Sequence, residues 1–102
     1  MSTERRAFIP YETIDYVYTI NLALQKVFEA RAQLSDSITY ERYLRVVEAL
    51  YAILAPRLRS SRVKELIEKA KRRDPEGFYT SEGVEALDKA VELILDLSLI
   101  HI

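Results

Sequence analysis

The sequence predicts an all-α fold, an up-down helical bundle of about four helices over residues 10–34, 38–55, 61–73 and 81–96. Three observations carry this reading. Apolar residues recur at helical spacing through four stretches, and no stretch alternates as a strand does. Breakers are scarce, two Gly and three Pro in 102 residues, and they fall at or near the boundaries of the stretches. Residues suited to helix caps stand where the stretches begin.

The first helix opens at Pro10, whose fixed φ suits the first helical position, with Phe8 or Ile9 placed to staple against Ile14. Two apolar seams follow, Ile14, Val17, Leu24 and Phe28 beside Tyr16, Ile20, Ala23, Val27, Ala30 and Leu34. A stripe this wide predicts packing against two neighbours. Asn21 interrupts the first seam, either to specify register or to sit at its edge.

Ser35-Asp36-Ser37 offers N-cap chemistry for the second helix. Its stripe is Tyr40, Tyr43, Leu44, Val47, Leu50, Tyr51 and Leu54, and Pro56 ends it. Ser60 or Ser61 caps a short third helix, with Val63, Leu66, Ile67 and Ala70 on one face and Lys71-Arg72-Arg73 in the last turn, where positive charge suits the dipole. Asp74-Pro75-Glu76-Gly77 reads as a type I turn, after which Phe78 and Tyr79 anchor the loop in the core. Thr80 or Ser81 caps the fourth helix. There Val84, Leu87, Val91 and Ile94 face inward, and Ala86, Ala90 and Leu93 widen the stripe. Four Glu-to-base pairs at i,i+4 support the solvated faces: Glu41–Arg45, Glu65–Lys69, Glu68–Arg72 and Glu85–Lys89.

The last six residues, Leu97–Ile102, are read as the translation of a sequencing adapter, because LSLIHI can be encoded by a transposase mosaic-end sequence. The fourth helix agrees: no Gly or Asn follows it, no base lies in its last turn, and Asp96 sits at the pole that disfavours negative charge. The expected domain is therefore 1–96, the N-terminal part of a longer protein, with 97–102 set aside. The alternative is an ordinary helix end, since Leu97, Ile100 and His101 share one face.

Cysteine is absent, which excludes disulfides, thiolate catalysis and zinc–cysteine sites and fits a cytoplasmic protein. The N-terminal residues lack the apolar run of a secretory signal, and no stretch approaches a membrane span. One Asn and two Gln against 30% charged residues resemble the composition of thermophile proteins. In size and composition the chain is similar to small helical proteins of archaeal viruses and plasmids and to the small subunits of CRISPR surveillance complexes, an analogy that no residue motif supports.

Net charge is −1, but it is unevenly placed. Arg57 to Arg73 carries eight basic and two acidic residues, a net of +6, and Asp74 to Asp96 carries seven acidic residues and one lysine, a net of −6. One reading makes Arg57, Arg59, Arg62, Lys64, Lys69, Arg72 and Arg73 a phosphate-contacting segment for nucleic acid. The favoured reading is that the third and fourth helices pair and satisfy each other's charge. The aromatic residues sit mostly at core spacing, which points to core or interface before base stacking. Glu85, Asp88 and Glu92 share a helical face, but the Glu-x-x-His partners of a di-metal bundle are missing. The sequence implies no cofactor and no metal, and with His101, the only histidine, set aside in the adapter-like tail, neither a histidine base nor a Gly-rich phosphate loop is available for an enzyme. The expected function is a non-enzymatic interaction or assembly module, with a protein partner or self-association. The alternatives are nucleic-acid binding through 57–73 and a helical accessory region of a larger enzyme.

Overall fold

The computed structural model describes residues 11–56, 58 and 61–101, with side chains described for 15–56, 58 and 61–96. It contains four helices, α1 (Tyr11–Ala32), α2 (Ser37–Leu54), α3 (Ser61–Lys71) and α4 (Ser81–His101), and no strand among the described residues. Pro10, Ser60 and the proposed Phe8 or Ile9 staple lie outside them. The α1–α2 and α3–α4 loops lie together at one end, where they line a common cleft. Short connections between antiparallel neighbours give the up-down bundle the periodicity predicts.

Each boundary has a local cause. Asp36 is the N-cap of α2: its carboxylate accepts from the Thr39 backbone N–H at 2.9 Å, while the Thr39 hydroxyl accepts from the Asp36 N–H at 2.9 Å. This reciprocal pair satisfies two backbone donors that the helix start leaves open. The Thr39 N–H donating to the carboxylate, and then the Thr39 hydroxyl beside it at 2.9 Å, hold the Asp36 carboxyl below its ordinary value. α2 stops at Leu54, two residues before Pro56, and Ala55 still donates to Tyr51. Thr80 caps α4, its hydroxyl accepting from the Gly83 N–H at 3.1 Å.

α3 ends at Lys71, two residues short of the expected Arg73, because Arg73 forms an isolated antiparallel bridge with Tyr79. Between them Gly77 donates to the Asp74 carbonyl at 2.9 Å, closing the predicted turn, and the Asp74 carboxylate accepts from the Glu76 and Phe78 N–H groups. Gly77 sits at φ +91°, a conformation a side chain would strain. α4 continues to His101, beyond the expected end at Asp96.

The core follows the predicted stripes closely on three helices. Tyr40, Tyr43, Leu44, Val47, Leu50 and Leu54 are buried on α2, all four predicted residues on α3, and Ala86, Leu87, Ala90, Val91 and Ile94 on α4. Tyr51, Val84 and Leu93 are half-buried against them. Burying side chains of this size stabilises by about 1.5–3 kcal/mol each.

α1 departs from expectation. Its backbone approaches α2 alone among the described elements, whereas α2 also meets α3 and α4, and α3 packs along α4. Ile20, Val27 and Ala30 are buried, but Val17 and Leu24 are only half-buried and Phe28 is exposed. Among the described residues, no second helix backbone packs along α1 as the double seam calls for.

Asp88 supplies a polar link from α1 to α4. Its carboxylate receives the Arg31 guanidinium of α1 at 2.8 and 3.1 Å and the Tyr43 hydroxyl of α2 at 2.6 Å. Burial, then the bond to Asp88, raises the Tyr43 phenol well above its ordinary value. The hydrogen bond to Asp88 likewise raises Arg31. A second buried tyrosine, Tyr40, donates to the Ala70 carbonyl at 2.8 Å and packs against Tyr79, ring centroids 4.6 Å apart and planes tilted by 45°. Gly83 fits against this junction: a Cβ there would stand 3.1 Å from the Tyr40 hydroxyl and 3.3 Å from the Ala70 oxygen.

Candidate interaction surfaces

The basic segment is divided by its own helix. Arg57 and Arg59 lie outside the described residues. On α3, helical spacing puts Arg62 and Lys69 on one flank and Lys64 and Lys71 on the other, with Glu65 and Glu68 between them. Arg62 lies 3.8 Å from Glu65, and Lys71 pairs with Glu48 of α2 at 2.8 Å and with Glu68 at 3.5 Å. The bond to Glu48 raises the Lys71 ammonium above its ordinary value. Arg73 turns back over the Tyr79 ring, 4.9 Å from its centroid, and donates to the Tyr79 hydroxyl at 3.1 Å. Among the described residues no carboxylate pairs with Lys64, Lys69 or Arg72. Of the predicted phosphate contacts that are described, Arg62 and Lys69 thus lie on one flank, Lys64 on the other, and Arg73 against Tyr79.

α3 and α4 do pack side by side, yet no ion pair joins them among the described residues. Their interface is apolar, built from Val63, Leu66, Ile67 and Ala70 against the inward face of α4. Their opposite charges point outward. Of the four predicted i,i+4 pairs only Glu41–Arg45 forms, at 2.7 Å; Glu65 and Glu68 take bases three residues away, and Lys89 turns to Glu92 at 3.4 Å. Exposed pairs of this kind are worth about 0–1 kcal/mol, so the exchange costs little.

The acidic face of α4 is broken in the same way. Asp88 is committed to Arg31 and Tyr43, and no group of three metal-ligating side chains occurs among the described residues.

The cleft at the loop end, about 360 Å³, lies between the starts of α2 and α4 and is lined by Ser35, Ser37, Tyr40, Tyr79, Ser81 and Val84 among others. Its one carboxylate, Asp36, already serves Thr39. Tyr79 anchors the loop here as expected, half-buried against Tyr40, but Phe78 is exposed.

The surface that sequence reading passed over is the outer side of α1. Tyr18, Leu22 and Phe28 are 62%, 41% and 52% exposed, and Thr19, Asn21 and Gln25 are exposed with them. None of the six is charged. The signal was present in the sequence as a ten-residue run without a charge, Tyr16–Gln25, bounded by Asp15 and Lys26. A buried helix needs no charge on any side, so the run looked like core. Only the packing shows that half of it faces outward.

No helix among the described residues is long and apolar enough to cross a membrane. No family model, curated protein or solved structure matches the chain.

Proposed function

We propose that this chain is a helical interaction module whose contact surface is the outer side of α1. One observation carries the reading. In a chain with 30% charged residues, the uncharged run Tyr16–Gln25 presents five exposed side chains, Tyr18, Thr19, Asn21, Leu22 and Gln25, two of them large and apolar. Single exposed apolar residues are ordinary, but a continuous uncharged face marks a surface that something else covers. Tyrosine, asparagine and glutamine mixed with leucine and phenylalanine suit a surface that is wet in one state and covered in another.

The test is whether this face supports the monomer. Tyr18→Glu with Leu22→Glu is expected to leave the melting temperature of the dilute protein unchanged and to abolish binding of an apolar dye. A drop of several degrees would show that the face is internal to the fold and end the reading.

A second reading, nucleic-acid binding by the α3 segment, is favoured by the three unpaired bases Lys64, Lys69 and Arg72 beside an arginine–tyrosine stack and an exposed Phe78. Charge reversal at Arg62 and Lys69 would reduce salt-dependent binding to single-stranded oligonucleotides. Absence of binding by the unaltered protein at low salt would dismiss this reading.

A further inference from the structure

We infer that the partner of the α1 face is a second copy of this chain, docked through α1 in antiparallel orientation; this rests on the reading of α1 as a contact surface. The face carries its own complement. Asp15 and Lys26 bound the uncharged run and are both exposed, and neither has an ion-pair partner among the described residues. They stand eleven positions apart in the sequence. At about 3.6 residues per turn that is close to three full turns, so they lie on the same side of the helix, roughly 16 Å apart along its axis. Tyr18 and Leu22 lie between them on that side, one turn from each other.

A two-fold axis placed between Ile20 and Asn21 reverses this pattern onto itself. Asp15 of one copy then meets Lys26 of the other, and Tyr18 meets the region of Leu22 and Ala23. The same contacts recur on the other side of the axis, as an isologous interface requires. A parallel arrangement would instead set Asp15 against Asp15 and Lys26 against Lys26. Antiparallel helix dipoles add a favourable contribution. An unrelated partner would need only to complement this face, whereas the observed order of acid, apolar pair and base is complementary to itself. An interface of three to four turns is small, near or below the roughly 1,200 Å² lower bound for stable complexes, so the pair is expected to separate on dilution.

Sedimentation velocity over a wide concentration range tests this on the full chain, with circular dichroism to confirm folding. The unaltered protein is expected to pass from monomer to dimer as concentration rises. Asp15→Lys and Lys26→Glu each turn two attractive contacts into repulsive ones and should weaken the dimer by about tenfold or more. The double variant D15K/K26E restores opposite charges across the axis and should recover the dimer. Leu22→Glu should leave a folded monomer. A dimer abolished by Leu22→Glu but indifferent to the charge swaps would overturn the antiparallel register and keep the α1 surface. A chain that is monomeric throughout, yet still binds apolar dye through Leu22, would overturn self-pairing while the interaction reading stands. A Leu22→Glu monomer that melts several degrees lower would overturn both.

Discussion

Asp88→Ala is expected to be far more damaging than the loss of an exposed salt bridge, because Asp88 serves two groups of very different cost. The Arg31 and Asp88 side chains remain 46% and 38% exposed, so their ion pair is screened and contributes about 0–1 kcal/mol. The Tyr43 ring is buried, and its hydroxyl, donating at 2.6 Å, has Asp88 as its acceptor. Removing that acceptor leaves a donor in the protein interior, a cost of about 1–3 kcal/mol. Together these give roughly 1–4 kcal/mol for Asp88→Ala, against under about 1 kcal/mol for Arg31→Ala. Tyr43→Phe removes the donor along with the bond and should cost about 1 kcal/mol. In its background Asp88→Ala should fall to the cost of the ion pair alone. Asp88→Asn keeps an acceptor oxygen and should be milder than alanine. Urea unfolding at one dilute protein concentration measures all of these, with an unchanged m-value required throughout. Equal losses for Asp88→Ala and Arg31→Ala, or an Asp88→Ala cost that is the same with Phe at 43, would refute the argument.

Other consequences follow from the same junctions. Gly83→Ala would gain about 1 kcal/mol from helix propensity alone, but the new Cβ would press on both partners of the Tyr40–Ala70 hydrogen bond, so thermal unfolding should show a net loss. Burial pushes the Tyr40 phenol from its ordinary 10.0 up to about 12. The folded pKa is raised, so the associated stability is complete below pH 10.0, falls as pH rises toward about 12, and should fall less steeply in Tyr40→Phe. At the other extreme, the depressed Asp36 carboxyl contributes stability above its ordinary 3.8 that is lost on acidification below it. Asp36→Ala should therefore lower the melting temperature at neutral pH and flatten the acid limb of the stability profile. Leu50→Ala, at a fully buried site, should cost about 2–5 kcal/mol.

How far the sequence could be read depended on whether the answer was local. Helix starts were legible because Asp36 and Thr80 satisfy backbone groups within three residues of themselves. The stripes of α2, α3 and α4 were legible because each buries one face. The end of α3 was not, since Arg73 leaves the helix for Tyr79, a contact made across a turn. The surface pairs failed for a different reason: alternatives such as Arg62–Glu65 and Lys71–Glu48 differ from the predicted ones by less than the energy that would fix either. α1 failed most instructively. Its width predicts two neighbours, but periodicity says nothing about whether the second belongs to the same chain. Within the basic segment, helical spacing sets Arg62 and Lys69 of α3 apart from Lys64 and Lys71, with Glu65 and Glu68 between them, an arrangement that a count of bases along the sequence does not show.

The surface of α1 can be probed directly because the chain contains no cysteine, so a single introduced thiol reports on one position. Leu22 lies close to the proposed two-fold axis, where the two Cα atoms would come within the roughly 7 Å that a disulfide spans. Mild oxidation of Leu22→Cys is therefore expected to give a covalent dimer rapidly, while Glu92→Cys, on the exposed face of α4, remains monomeric under the same conditions. Equal cross-linking at both positions, or none at Leu22→Cys at a concentration where Glu92→Cys is also unlinked, would contradict the account.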